Sequence, residues 1–403
     1  MKSETVRLGD ICKTNTNSYS VKEKWEYVNY LDTGNITENK IDNIQYIDLS
    51  SEKLPSRARR KVSENDIIFS TVRPNQLHYG FIKEIPENFL VSTGFTTITA
   101  NEKICFPKYL YYFLTQNYII NYLHTIAEQS TSAYPSIKSS DIEDLQIKLP
   151  ELSVQRQIAS VLSALDGKIE LNNKINQNLE EQAQAIFKSW FVDFEPFGGV
   201  MPDDWRIGKV SDINMTVTDY VANGSFASLK ANVKLYKEKN YAYFIRNTDL
   251  KAGNFNIFVD KHSYDFLTKS VLYGGEIIIS NVGDVGSVFL CPKLDLPMTL
   301  GNNIIMLRPN NYIFKYYLYI WFKWGQGQNY IQAIKSGSAQ PKFNKTEFKN
   351  TPVQIPSEEI LKKFHTIVTP LFNKIGENKQ ENKRLSDLRD VLLPELMNGR
   401  INI

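Results

Sequence analysis

Two stretches in the two halves of the chain carry the same heptad seam, and no other feature of the sequence constrains its fold as much. The first seam runs Ile158, Leu162, Leu165, Ile169, Asn172, Asn176, Leu179, Ala183, Ile186 and Trp190. The second runs Phe364, Val368, Leu371, Ile375, Asn378, Asn382, Leu385, Arg389, Leu392 and Leu396. Steps of four and three alternate, as they do along a coiled-coil helix. A helix of about 38 residues extends about 57 Å, longer than a globular domain of about 150 residues needs to cover. The two helices are therefore predicted to bury each other's stripe, antiparallel, with asparagines at the same two layers of each. Buried asparagines weaken a coiled coil but fix its register. Glu358 and Glu359 suit the start of the second helix and Gly399 its end, while Pro196, Gly198 and Gly199 close the first. Pro370 lies inside the second helix and lacks a backbone donor, which predicts a kink or a break there.

The repeat extends beyond the helices. Leu8-Gly9-Asp10-Ile11 has a counterpart in Val210-Ser211-Asp212-Ile213, and Glu64 to Ser70 recurs as Gly274 to Ser280, a turn feeding a buried strand. Phe106 to Phe113 matches Phe314 to Trp321, with the spacing of a short amphipathic helix. Ser132 to Ile137 matches Ser338 to Phe343, and each is followed by a polar stretch, an apolar strand and a proline, Pro150 or Pro356. These matches predict an α+β protein with a pseudo-two-fold internal repeat: two similar globular domains separated by two long antiparallel coiled-coil helices. The expected bounds are 1–150 for the first domain, 151–195 for the first spacer helix, 196–356 for the second domain, and 357–403 for the second spacer helix and tail.

Composition narrows the function by exclusion. A net charge of +3 is too mild to establish nucleic-acid binding, so any basic surface has to be local. The densest cluster is Ser56 to Lys61, with Arg57, Arg59, Arg60 and Lys61, which would also suit a solvated loop. Cys12, Cys105 and Cys291 form no CxxC pair and stand apart from His78, His124, His262 and His365, so neither a disulfide framework nor a metal site is expected. The N-terminus lacks the apolar core of a signal peptide and no run is long enough for a membrane span, which points to the cytoplasm. The chain has no GxxxxGK[ST] phosphate loop and no Pro-Pro dipeptide of the kind found in adenine methyltransferase signatures. Gly283-Asp284-Val285-Gly286 lacks the third glycine of a dinucleotide loop, and the triplet Glu347-Phe348-Lys349 has nothing beside it that suggests a metal pair. No catalytic residues are expected.

The stretch Gln155 to Pro196, QRQIASVLSALDGKIELNNKINQNLEEQAQAIFKSWFVDFEP, closely resembles the central region of type I restriction-modification specificity subunits. RLGDI near the start, Asn65 to Pro74, Met201 to Ile213 and the final LLPELMNGRI sit where that family places similar segments, so the resemblance covers essentially the whole chain. It implies a host-defence subunit without catalysis of its own. Two target-recognition domains would read a two-part, asymmetric site in double-stranded DNA, spaced by helices that also dock two modification (methyltransferase) subunits and, through the complex, restriction subunits. S-adenosylmethionine, and ATP with Mg for restriction, would serve those partners; no cofactor is expected on this chain. Two alternatives stay open: the specificity chain of a related system whose partner fuses methyltransferase and nuclease, and a coiled-coil scaffold without sequence specificity.

The halves agree in framework and differ in the loops that would read bases. Ser70 to Asn75 offers Thr71, Arg73 and Asn75, where Ser280 to Gly286 offers a flexible glycine loop with Asn281 and Asp284. Arginine fits guanine O6 and N7 and asparagine fits adenine N6 and N7, although both residue types also serve turns and phosphate contacts. Gln129 to Tyr134 and Lys335 to Gln340 are small and polar, as close approach to a groove demands, and contribute Ser130, Ser132, Tyr134, Ser336, Ser338 and Gln340, with Lys342 following. Phe187, Trp190 and Phe191 at the end of the first helix either dock a partner or pack on the second domain.

Overall fold

The computed structural model describes residues 3–130, 134–337 and 339–401. The chain divides into two compact units, Met1–Leu171 with Glu381–Ile403, and Asn172–Gln380. Each unit holds one α+β domain together with part of both long helices, so the first helix, Leu152–Phe191, and the second, Glu358–Met397, each contribute to both units.

In the first unit, strand Ser3–Arg7 pairs antiparallel with Gln146–Pro150 and closes the base of the domain. An antiparallel sheet in the order Cys12–Thr14, Phe95–Ala100, Ile67–Ser70, Tyr79–Phe81 forms the centre. A second sheet runs Gln45–Asp48, Tyr27–Leu31, Phe89–Ser92, Ala58–Arg60, with its two inner strands parallel. Ile67 to Ser70 are all buried, the continuous apolar run expected of a strand covered on both faces. The core gathers Leu8, Ile67, Phe69, Ile98, Tyr109 and Leu123 with Ile158 and Leu162 of the first long helix and Leu393 and Leu396 of the second.

The second unit repeats the plan. Arg206–Lys209 pairs with Pro352–Ile355, and the central sheet runs Met215–Asp219, Ile304–Pro309, Ile277–Ser280, Val288–Leu290 in the same order. Registers match too: Ile67 faces Ile98 in the first unit as Ile277 faces Leu307 in the second. The other sheet again has a parallel inner pair, Ala242–Ile245 beside Met298–Leu300, and gains the edge strand Leu235–Tyr236. Its core gathers Ile277, Ile305, Tyr317 and Phe322 with Ala183, Phe187 and Phe191 of the first long helix and Leu361, Phe364 and Val368 of the second.

Within each unit the long helices run antiparallel. Asp166 meets Arg389 and Lys168 meets Glu381 in the first unit; in the second, Asn378 Nδ2 donates to Asn176 Oδ1 at 2.9 Å, and Phe187 meets Phe364. Every seam position is buried or half-buried, including Leu165, Ile169, Leu179, Ile186, Leu371, Asn382, Leu385 and Leu392. Asn172, Asn176 and Asn378 are buried amides. Gly399 takes a left-handed backbone just past the second helix.

Two expectations need correction. The second helix is unbroken through Pro370. Pro370 and Thr366 both face solvent, so water can satisfy the carbonyl that loses its donor while the packed face keeps its hydrogen bonds. The aromatic segments form the expected short helices but show no solvent-facing side: nearly all of Pro107–Leu114 is buried, and so are Tyr316 to Phe322 within Phe314–Lys323. Each lies between its central sheet and the long helices, so even its polar side chains are enclosed, with Tyr109 Oη donating to Lys148 O and Tyr317 Oη to Gln354 O.

Candidate nucleic-acid interface

The chain turns sharply after the buried strand Ile67–Ser70. Thr71 N and Oγ1 both donate to Gly94 O, at 2.8 and 2.9 Å, and Ser70 Oγ donates to Val72 O. Val72 bridges antiparallel to Ser136, Ile137 N donates to Thr71 O at 2.9 Å, and Arg73 N donates to Pro135 O at 3.0 Å. Segments more than sixty residues apart in sequence are thereby stitched together, and Arg73 comes beside Tyr134. The Arg73 guanidinium lies 5.9 Å from the centre of the Tyr134 ring. Arg73 and Asn75 are exposed, whereas the Thr71 hydroxyl is committed to Gly94. Ser130 follows the helix Asn117–Glu128 and is half-buried; Ser132 lies outside the described residues.

The basic cluster occupies the edge strand Ala58–Arg60 and its flanks. Arg57 O accepts from Thr93 N, so this stretch and the Arg73 loop bond to neighbouring residues of one turn, Thr93 and Gly94. Arg57 is exposed and Arg59 half-buried. Burial pushes the Arg60 guanidinium below its ordinary pKa. Lys61 is ion-paired with Glu23 and stands over the Trp25 ring, so its charge is already engaged.

In the second unit the corresponding loop takes the same path. Asn281 N donates to Asn303 O, Phe343 N to Asn281 O, and Gly283 N to Pro341 O, while Val282 bridges to Lys342. Asn281, Asp284, Gln340 and Lys342 are gathered there, with Ser336 bridged to Lys342; Ser338 lies outside the described residues. The glycine loop expected to be flexible is tethered: Gly286 N donates to Ser280 O and Gln328 Nε2 to Gly286 O. Asp284 pairs with Lys251 at 2.6 Å and accepts from Ser287 and Asn247. Burial raises the Asp284 carboxyl, but these bonds outweigh it and hold the pKa below the ordinary range. Lys251 and Asn247 escaped the sequence reading because nothing local links them to a residue more than thirty positions away. Asn281 Oδ1 is buried without a hydrogen-bond partner among the described residues, while its Nδ2 donates to Phe343 O.

Phe187 and Phe191 are buried against Tyr317, Phe364 and Trp205, which settles their role as packing within the second unit; Trp190 is half-buried on Phe364 and Phe197. All three cysteines are buried free thiols, and burial pushes Cys12 and Cys105 up to about 12. Among the described residues no group of three or more His, Cys, Asp or Glu is placed to hold a metal ion, and no helix is long and apolar enough to cross a membrane.

Two tethered loop clusters on one duplicated frame, one presenting a guanidinium and a phenol and the other amides, a carboxylate and ammonium groups, define a two-domain recognition protein. The type I restriction modification DNA specificity domain matches residues 1–181 and again 202–387, and the chain belongs to this family as a specificity subunit with two such domains. The chain is 26% identical over 466 residues to the HindI type I restriction enzyme specificity subunit of Haemophilus influenzae, with 98% of each chain covered. It is 27% identical over 421 residues to the MjaIX specificity subunit of Methanocaldococcus jannaschii, covering 98% of this chain and 92% of that one. The crystal structure of a type I restriction-modification S subunit from M. genitalium shares the fold, with a TM-score of 0.57 at 16% identity over 98% of this chain and 96% of that one.

Proposed function

We propose that each domain reads one half of a two-part, asymmetric site in double-stranded DNA, with the loops after Ile67–Ser70 and Ile277–Ser280 facing the bases. The observation that carries this reading is that the two loops share their backbone tethers and differ in the side chains they present. A common frame places two readers alike, and different side chains give each half-site its own sequence. In the first domain Arg73, Asn75 and Tyr134 face outward, with Thr71 holding the turn and Arg57 and Arg59 supplying charge toward the phosphates. In the second the exposed groups are Asp284, Ser336, Gln340 and Lys342, while Asn281, whose Oδ1 is buried and whose Nδ2 donates to Phe343 O, holds the turn as Thr71 does.

Each long helix has 40 residues, about 60 Å at 1.5 Å per residue, and the helices set how many base pairs lie unread between the half-sites. The repeat offers two similar docking surfaces, which suits two modification subunits per chain, with restriction subunits joining through the complex. Those partners carry the chemistry: adenine methylation from S-adenosylmethionine, and ATP- and Mg-dependent restriction. This chain contributes address and geometry.

The test is selection of bound sequences from a random duplex pool by the chain assembled with its modification subunits. Enrichment of a split, asymmetric motif supports the reading. Equal retention of all sequences would instead identify a scaffold that holds DNA without reading it.

A further inference from the structure

The loops after the two buried strands follow one backbone path, and one position along it is unusual. Arg73 and Gly283 are equivalent: each donates its N–H to the proline carbonyl of the partner loop, Pro135 O at 3.0 Å and Pro341 O at 2.8 Å. Both have positive φ, 47° for Arg73 and 77° for Gly283. The frame therefore demands a left-handed backbone at this position in both domains. Glycine adopts it without steric cost, whereas a residue with a Cβ is strained. The first domain nevertheless carries an arginine where the fold needs only a glycine; ten residues with a side chain take positive φ among the described residues, Leu77 of the same loop included, so it is the exposed guanidinium at this position, and not the backbone alone, that points to a role.

The Arg73 side chain is exposed and, among the described residues, joins no ion pair. Its guanidinium has the Tyr134 ring beside it at 5.9 Å, and Tyr134 is itself 64% exposed. Both residues ride on backbone pinned by the Val72–Ser136 bridge and by the Ile137 N to Thr71 O bond, so the pair is set on a rigid turn. A phosphate contact needs only charge, which an arginine or lysine at an unstrained exposed position supplies. A planar fork held on rigid backbone beside an aromatic ring suits an acceptor pair of fixed geometry, and guanine O6 and N7 in the major groove are such a pair.

We propose that Arg73 is a specificity-determining residue that reads a guanine in the half-site of the N-terminal domain, its guanidinium donating to O6 and N7 while Tyr134 steadies its plane. This rests on the reading of that domain as a DNA recognition domain. The half-site it reads then contains at least one G·C pair, and the second domain, with Gly283 at the equivalent position, has no such contact there.

The experiment maps methylated positions in DNA exposed to the full chain with its modification subunits, for the unchanged chain and for Arg73→Ala, Arg73→Lys and Arg73→Gly. Arg73→Ala and Arg73→Gly are expected to lose discrimination at one G·C position of one half-site by about 10- to 100-fold, with the other half-site read as before. Arg73→Lys, whose ammonium can still donate to guanine O6 and N7 but lacks the fixed planar fork, is expected to keep part of the discrimination at that same position. Arg73→Gly relieves the strain, so it should melt no lower than the unchanged chain, which separates lost reading from lost folding. A uniform fall in methylation at every site without a change of motif would make Arg73 a phosphate contact and overturn the proposal, as would an unchanged motif. Absence of any split motif with the unchanged chain overturns the underlying DNA reading instead.

Discussion

Replacing Arg389 with alanine removes the charged partner of Asp166 from the layer where the long helices meet the first domain. Arg389 Nη1 donates to Asp166 Oδ1 at 3.1 Å, and Tyr112 Oη donates to Asp166 Oδ2 at 2.6 Å. Both charged side chains keep 29% of their exposure, which places the pair between a surface ion pair, worth under about 1 kcal/mol, and a buried one, whose breakage costs about 3–5 kcal/mol. A loss of about 1.5–2 kcal/mol is expected for Arg389→Ala. Asp166→Ala should cost a similar amount, because it strips Tyr112 of its stronger acceptor. The double variant should lose less than the sum, with a coupling of about 1 kcal/mol. The equivalent layer of the second unit is apolar: Ala183 stands where Arg389 does, and Phe372, stacked on Tyr316 at 4.4 Å, stands where Asp166 does. Melting curves of the two single variants and the double variant measure the coupling, at about 2–4 °C per kcal/mol for a unit of this size. Additivity within about 0.3 kcal/mol would show that the pair is a surface accident and refute the argument.

Phe364→Ala in the second unit should destabilise by about 3–5 kcal/mol, because the ring is fully buried among Phe187, Trp190 and Phe191; thermal unfolding checks it, and an unchanged midpoint would contradict the packing. Burial pushes the Lys108 ammonium down to about 8, below its unfolded value, so its desolvation cost is fully present below pH 8 and fades as pH rises from 8 toward about 10.5. The melting temperature of the unchanged chain should therefore gain on that of Lys108→Met across that window, and parallel curves would refute the assignment. Inserting one heptad into each long helix, at Asn172 and at Asn378, lengthens each by about 10 Å, or about three base pairs of duplex. The unread spacer of the recognised site should grow accordingly, and an unchanged spacer would sink the ruler.

The parts of this fold that were legible in the sequence are those carried by local spacing. Alternating steps of four and three from Ile158 to Trp190 and from Phe364 to Leu396 state the long helices outright, because a helix brings such positions to one face. The strands Ile67–Ser70 and Ile277–Ser280 were equally plain, as short apolar runs bounded by turn residues. Pro370 misled because its cost depends on which face it occupies, and that face looks outward. Phe106 to Phe113 read as amphipathic because hydropathy cannot tell a tyrosine that faces water from one whose hydroxyl is satisfied inside, as Tyr109 is by Lys148 O. The parallel pairing of Tyr27–Leu31 with Phe89–Ser92 joins segments that no local pattern links.

At the candidate interface, residue types were legible and commitments were not. Thr71 and Arg73 looked alike as candidates until the fold spent the threonine hydroxyl on Gly94 and left the guanidinium outward. Asp284 looked free in a glycine loop until Lys251 and Asn247 closed on it. Lys61 belonged to a basic run until Glu23 and Trp25 took its charge. The left-handed backbone at Arg73 becomes meaningful only beside Gly283, once the shared hydrogen bonds establish that the two positions are equivalent.

The central claim, that this chain chooses the DNA sequence on which its partners act, is tested most directly by mapping methylation in DNA from cells carrying the chain with a cognate modification subunit and from cells lacking only the chain. The expected result is a split, asymmetric methylated motif that disappears with the chain. A working methyltransferase that marks the same positions in both, or none in a split pattern, would contradict the account.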